Sequence, residues 1–223
     1  MKKYKDSLIG LIVFIGYLLL SQYSNVVISL LGFNNLPNIL KLLVAIIYDL
    51  LLLTGCIFIY LKTIVKDFKD FRKNFRYYFN NYAKYWFLNL GLMMISSIII
   101  QSLVNVDSST NQQYIVSLLS KYPIYTFITT IFIAPILEEL IFRLTFRKIF
   151  KSDILFIFLS GLVFGILHFS VATSIQELLY IISYSIPGWI FAYTLKKSNN
   201  IFVPISLHIF HNTIMTILQF ILL

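Results

Sequence analysis

The chain has 223 residues, 59% of them hydrophobic and only 12% charged, with a formal net charge of +9. A soluble domain is about half apolar and about a quarter charged, and the apolar residues here fall in blocks of roughly twenty, long enough to cross a bilayer as helix. A soluble globular fold is therefore excluded; the basic residues sit in short connectors between the blocks, which argues against nucleic acid as a partner, and the single cysteine, Cys56, rules out an intrachain disulfide.

Seven apolar segments follow in order, and the hydropathy pattern predicts helices over 8–31, 39–61, 84–104, 122–147, 153–172, 176–195 and 201–222. The first follows Lys2, Lys3 and Lys5 as a signal peptide would, but no small-residue cleavage site is evident and further spans follow, so it reads as a retained helix. "GFNNLPN" (32–38) breaks the first segment from the second, "NVDSSTNQQ" (105–113) follows the third, and "KKSNN" (196–200) precedes the last. Between the second and third, residues 61–86 mix aromatic with basic side chains. That composition predicts an amphipathic helix lying on the cytoplasmic leaflet, with 62–84 drawn to anionic lipid.

The charges orient this arrangement. With the N-terminus in the cytoplasm, fifteen of the eighteen Lys and Arg residues fall on that side, the asymmetry that the positive-inside rule describes. The expectation is an all-α, polytopic transmembrane bundle of about seven spans with its N-terminus cytoplasmic.

Ionisable residues near the middle of such helices cost about 2.5–3.5 kcal/mol each on insertion scales, so they turn inward, pair, or serve a function. The set is short: Asp49, Glu138, Glu139, Arg143, His168, His208 and His211. In "APILEELIFR" (134–143), Glu139 and Arg143 are four apart on one helix face and within ion-pair reach. Glu138 is turned about 100° away, shares its stripe with Phe142, and has no intrahelical partner. It is placed to act as a general base. Pro135 removes a backbone donor just before it and predicts a local kink.

Gly161, Phe164, Gly165 and His168 form one stripe of the fifth segment, where two glycines four apart let a neighbouring helix approach closely. On the last segment His208 and Asn212 are four apart, with His211 beside them. A lone intramembrane histidine is more often a hydrogen-bonded packing residue than a catalyst. Glutamate, two histidines and asparagine from three helices instead compose a hydrolytic set, a base for water with donors for an oxyanion. Asp49 finds no partner in the sequence.

Glu138-Glu139-x-x-x-Arg143, Phe164-x-x-x-His168 and His208-x-x-x-Asn212, in this order within about 75 residues of chain, resemble the motif set of the CAAX protease and bacteriocin-processing family, also called the Abi family, of membrane endopeptidases. The resemblance covers roughly 122–222. It divides the chain into N-terminal helices, 1–121, and a catalytic core, 122–223. It implies that Glu138 activates water with help from His168, that His208 and Asn212 stabilise the oxyanion, and that Glu139, Arg143 and Phe164 support the site. His211 is an extra, structural or supporting. Members have been described both as metalloproteases and as glutamate-dependent enzymes. No H-E-x-x-H segment is present, and a zinc site would need Glu138, His168 and His208 gathered from three helices. Asn212 is a poor zinc ligand and a good oxyanion donor, which favours a mechanism without a metal cofactor.

The Lys-, Asn- and Ile-rich composition is that of a low-GC bacterium, where prenylated CAAX substrates are not expected. The expected setting is then the bacterial cytoplasmic membrane. The expected substrate is a peptide or membrane protein, such as a bacteriocin or pheromone precursor, or one processed for self-immunity. The competing readings are a non-catalytic membrane scaffold or immunity protein, and a proton-coupled transporter using Glu138 and the histidines as a relay. One geometric tension accompanies the site. Counted at 1.5 Å per residue from the cytoplasmic helix ends, Glu138 is about 14 Å deep, His208 about 11 Å and His168 about 23 Å.

Overall fold

The computed structural model describes residues 2–22, 29–30, 32, 36–104, 108–169 and 178–223. Among them the chain forms eight helices: α1 Lys2–Gln22, α2 Asn38–Lys73, α3 Phe75–Val104, α4 Thr110–Lys121, α5 Pro123–Ile149, α6 Asp153–His168, α7 Tyr180–Ser198 and α8 Phe202–Leu222. The fold is an all-α bundle. Helices α2, α3, α5 and α8 are long and apolar enough to cross a membrane, and the apolar stretches Asp6–Ser21 and Asp153–His168 are shorter. Large apolar side chains such as Leu8, Ile12, Phe58, Ile98 and Ile154 stand exposed around the outside, as a lipid-facing surface requires.

Each predicted segment is helical where it is described, with shifted bounds. The first is described as helix to Gln22 and again at 29–30, and the predicted stretch 23–28 lies outside the described residues, as does 170–177 between the fifth and sixth. Residues 61–86 do not form a helix of their own. They are the joined ends of α2 and α3, which meet at Asn74, where the backbone N–H returns to the Asp70 carbonyl. A helix of 36 residues is about 54 Å long at 1.5 Å per residue, well beyond the roughly 30 Å hydrocarbon core. The basic end of α2 therefore projects past the apolar zone. The polar helix α4 was not foreseen; Ser109 caps it by accepting from the Gln112 N–H at 3.2 Å.

Two contacts fix the helices that carry the motifs. Helices α6 and α7 pack almost backbone to backbone: a Cβ added to Gly188 would sit 2.6 Å from the Gly161 Cα, and one added to Gly165 would sit 2.6 Å from the Ile181 carbonyl oxygen. Only glycine permits that approach. Trp189 Nε1 then donates to the Phe158 carbonyl at 3.1 Å. At the basic end, buried Asp67 accepts the Ile201 N–H at 3.0 Å, while Asn200 donates to the Asp67 carbonyl at 2.9 Å and to Asp70 Oδ2 at 3.0 Å. This clasp ties the start of α8 to α2. Asn199 ends α7 in the left-handed region at φ 52°, a conformation asparagine tolerates.

Helix α5 continues as helix through Pro135. Two stretches of wide, π-helical turn, Thr129–Ile133 and Leu140–Thr145, lie on either side of the two glutamates. The hydroxyl of Thr145 donates to the Leu140 carbonyl five residues back at 3.1 Å, and the Tyr60 hydroxyl is bonded to it at 2.6 Å. Such turns are rare and gather at functional places in helices.

Candidate active site

Glu139 and Arg143 are both completely buried, with Nε 2.9 Å from Oε2 and Nη2 donating to Oε1 at 3.1 Å. Burying this pair is tolerable only if its remaining hydrogen-bonding capacity is used. Arg143 Nη1 donates to Ser160 Oγ at 3.0 Å, and that hydroxyl donates on to the Phe142 carbonyl at 2.6 Å. The guanidinium also lies over the Phe164 ring, 5.0 Å from its centroid.

The other acceptor site of Glu139 is filled from α8. His208 Nδ1 is 2.9 Å from Glu139 Oε1, so Nδ1 carries the proton and donates to it. This fixes the ring and turns Nε2 toward Glu138, 3.7 Å from its Oε2. The sequence spacing showed the Glu139–Arg143 pair. It gave no sign that Glu139 also orients His208, 69 residues away along the chain.

His168 is the last residue of α6. Its Nδ1 lies 2.8 Å from the Phe164 carbonyl and donates to it, which leaves Nε2 as an acceptor. The ring stacks on Tyr184 with centroids 4.8 Å apart and touches Phe164 at 4.5 Å. Phe164 thus sits between Arg143, His168 and His208, the last with centroids 6.0 Å away. Asn212 Nδ2 donates to the Thr130 carbonyl at 2.8 Å, in the first wide turn of α5. One of its two N–H groups is used there and the other is left for a ligand. His211 is buried with Nδ1 3.5 Å from Asn89 Nδ2 on α3.

Glu138, Phe164, His168, His208, His211 and Asn212 all line one cavity of about 380 Å³. The unequal depths counted along the helices do not keep these side chains apart. Asn111 and Gln112 of α4, Tyr184 of α7 and Gln219 of α8 add polar groups to the same wall. Neither Ser160 nor Tyr184 was foreseen as part of the site. Ser160 could have been, as a polar residue among apolar ones on the glycine-bearing helix; nothing in the sequence marks Tyr184. Among the described residues no three His, Cys, Asp or Glu side chains stand close enough together to hold a metal ion.

A helical membrane bundle with a glutamate, two histidines and an asparagine around one cavity defines a class of candidate hydrolase, and comparison with known proteins narrows it. Residues 120–214 match the family described as type II CAAX prenyl endopeptidase Rce1-like. A protein of Bacillus subtilis (strain 168) named "Putative membrane peptidase YdiL" is 31% identical over 114 residues, half of this chain and 43% of its own length. An uncharacterized protein of Mycoplasma capricolum is 32% identical over 138 residues, 58% of this chain and 40% of its own. The chain thus spans less than half the length of these curated relatives. No solved structure matches it significantly. The matched segment holds all three motifs, so the chain's similarity to this family rests on the part that carries the candidate site.

Proposed function

We propose that this protein is an intramembrane endopeptidase in which Glu138 activates the attacking water. The observation that carries the reading is the orientation of His208: its Nδ1–H is held by Glu139, and its other nitrogen faces Glu138 across 3.7 Å inside the shared cavity. One carboxylate positions and the next is left to react.

Water bound between Glu138 and the Nε2 acceptor of His168 gives its proton to Glu138 as its oxygen bonds to the scissile carbonyl carbon. The carbonyl oxygen becomes an oxyanion and accepts from the second N–H of Asn212 and from His208. His208 donates from Nε2 only as the imidazolium, the form in which Glu138, Glu139, Arg143 and His208 together carry no net charge. Collapse of the intermediate breaks the C–N bond, and the proton on Glu138 passes to the leaving nitrogen. No step requires a metal, and zinc held by Glu138, His168 and His208 is the alternative that the assay below tests.

The substrate in this reading is a peptide precursor or membrane protein, of the bacteriocin, pheromone or self-immunity kind, processed at the bacterial cytoplasmic membrane. The polar side chains of Asn111, Gln112 and Gln219 supply partners for the amides of an extended peptide. The test is cleavage of candidate peptides by the purified protein in lipid, with and without chelator. Glu138→Gln is expected to abolish cleavage while the protein still reaches the membrane and folds. Full activity in that variant would sink the glutamate mechanism, and chelator inhibition reversed by zinc would replace it with a metal-dependent one.

A further inference from the structure

Glu138 lines a second cavity as well. Beside α1 and α2 a space of about 140 Å³ is bounded by Tyr17 and Ser21 of α1, Asp49 and Leu52 of α2, and Thr129, Ala134 and Glu138 of α5. Thr129 and Ala134 also border the larger cavity, so the glutamate stands where the two spaces adjoin. The smaller one has room for about four waters at ~30 Å³ each, and four of its side chains besides Glu138 are polar: Tyr17, Ser21, Asp49 and Thr129.

Asp49 is the intramembrane carboxylate that neither the motifs nor the mechanism uses. Among the described residues no side chain or backbone group gives it a hydrogen bond or an ion pair. A carboxylate in the apolar zone costs about 2.5–3.5 kcal/mol on insertion scales unless something solvates it. Glu139, by contrast, is solvated by arginine and histidine. For Asp49 the remaining solvating agent is water, and the polar cavity against it is the place for it.

Hydrolysis consumes one water for each bond cut. A peptide seated among Asn111, Gln112, Phe164 and His208 fills the larger cavity and displaces the water there. Glu138 then has only its other flank from which to be resupplied. We propose that the α1–α2–α5 cavity is an aqueous vestibule serving Glu138, and that Asp49 is a positioning residue that holds water in it. The role in turnover rests on the peptidase reading; the wetness of the cavity does not.

Both parts are tested on the full chain in lipid nanodiscs with Cys56 replaced by alanine. A charged, membrane-impermeant thiol reagent is applied to Leu52→Cys, which borders the cavity, and to Leu51→Cys, which is 66% exposed on the outer surface of α2. Thiols react as thiolates in water, so Leu52→Cys is expected to react at least about tenfold faster, and more slowly once Asp49→Leu is added. Equal rates, or an inert Leu52→Cys, overturn the vestibule whether or not a peptidase activity is found. In a cleavage assay Asp49→Leu is expected to lower kcat about tenfold with KM changed less than about twofold, while Asp49→Asn, which still binds water, retains most of the rate. An unchanged kcat in Asp49→Leu, or a loss confined to KM, removes Asp49 from the water path.

Discussion

Glu139 is fully buried, paired with Arg143 and hydrogen-bonded by His208, whereas Glu138, one residue earlier, keeps 20% of its side chain exposed and, among the described residues, meets the far nitrogen of His208 at 3.7 Å. The two carboxylates have the same chemistry and the same helix. Their difference comes from the 100° that one residue turns on a helix, which sends one into a packed seam between α5, α6 and α8 and the other to the boundary of two cavities. A charge that is saturated by fixed partners cannot take a proton from water without breaking them. A charge left with capacity can. In the proposed mechanism the pair divides a single problem into support and reaction.

The largest effect expected from disturbing this division is on rate. Glu138→Gln should reduce kcat by about 10²–10⁴-fold, the usual weight of a general base, and leave the thermal unfolding midpoint within a few degrees of wild type. Glu139→Gln should do the reverse in part, lowering stability as well as rate because the Arg143 charge loses its counter-ion. Rate measurements paired with unfolding curves on both variants check the contrast, and two indistinguishable profiles would erase it.

Next comes the buried pair itself. Arg143→Leu strands the Glu139 carboxylate without its cation and should destabilise the fold by about 3–5 kcal/mol. The double replacement of Glu139 and Arg143 by leucine should recover part of that loss, since no unpaired charge is left, while still failing to orient His208. Unfolding in a denaturant series distinguishes the two. A double variant no more stable than the single would mean that the seam depends on the ion pair and not on its neutrality.

Smaller effects lie further from the pair. Gly188→Ala pushes a methyl group against the Gly161 backbone, and overpacking of that kind costs about 1–3 kcal/mol. It should also move His168, carried at the end of the helix that must yield, so activity should fall with stability. Smallest is Asp67→Ala at the clasp on α8, which removes the acceptor of the Ile201 N–H and should cost about 1 kcal/mol, as the loss of a helix cap does, with a modest loss of rate transmitted through His208 and Asn212.

What could be read from the sequence follows the range of the interactions. The Glu139–Arg143 pair lies within one helical turn, and hydrophobic blocks against a few polar residues are conspicuous, so the helical fold class and this pair were legible. The bond from His208 to Glu139, the Ser160 bridge and the Tyr184 stack join helices far apart in the chain, and no local spacing encodes them. Residues 61–86 differ for another reason. Falling hydrophobicity does not end a helix: the helical backbone continues through polar residues as far as Asn74, whose φ of −109° and ψ of 23° separate α2 from α3. Hydrophobicity also passed over α4, whose sequence is too polar to register as an apolar block. The wide turns of α5 were equally hidden, because the groups that hold them, such as Tyr60, belong to other helices.

Those wide turns have a mechanical consequence. A π-helical turn takes up more residues than an α turn, so each one resets the angular phase of everything beyond it. With one reset before the glutamates and one after, the heading of Glu138 and Glu139 is uncoupled from both ends of α5. The N-terminal part can keep the alignment that α8 demands through Thr130 and Asn212, and the C-terminal part can keep its own against α1 and α2. Between them the heading of the glutamate turn is set by its own partners, His208 on α8 and, through Arg143, Ser160 on α6, and not by the phase of either end of the helix.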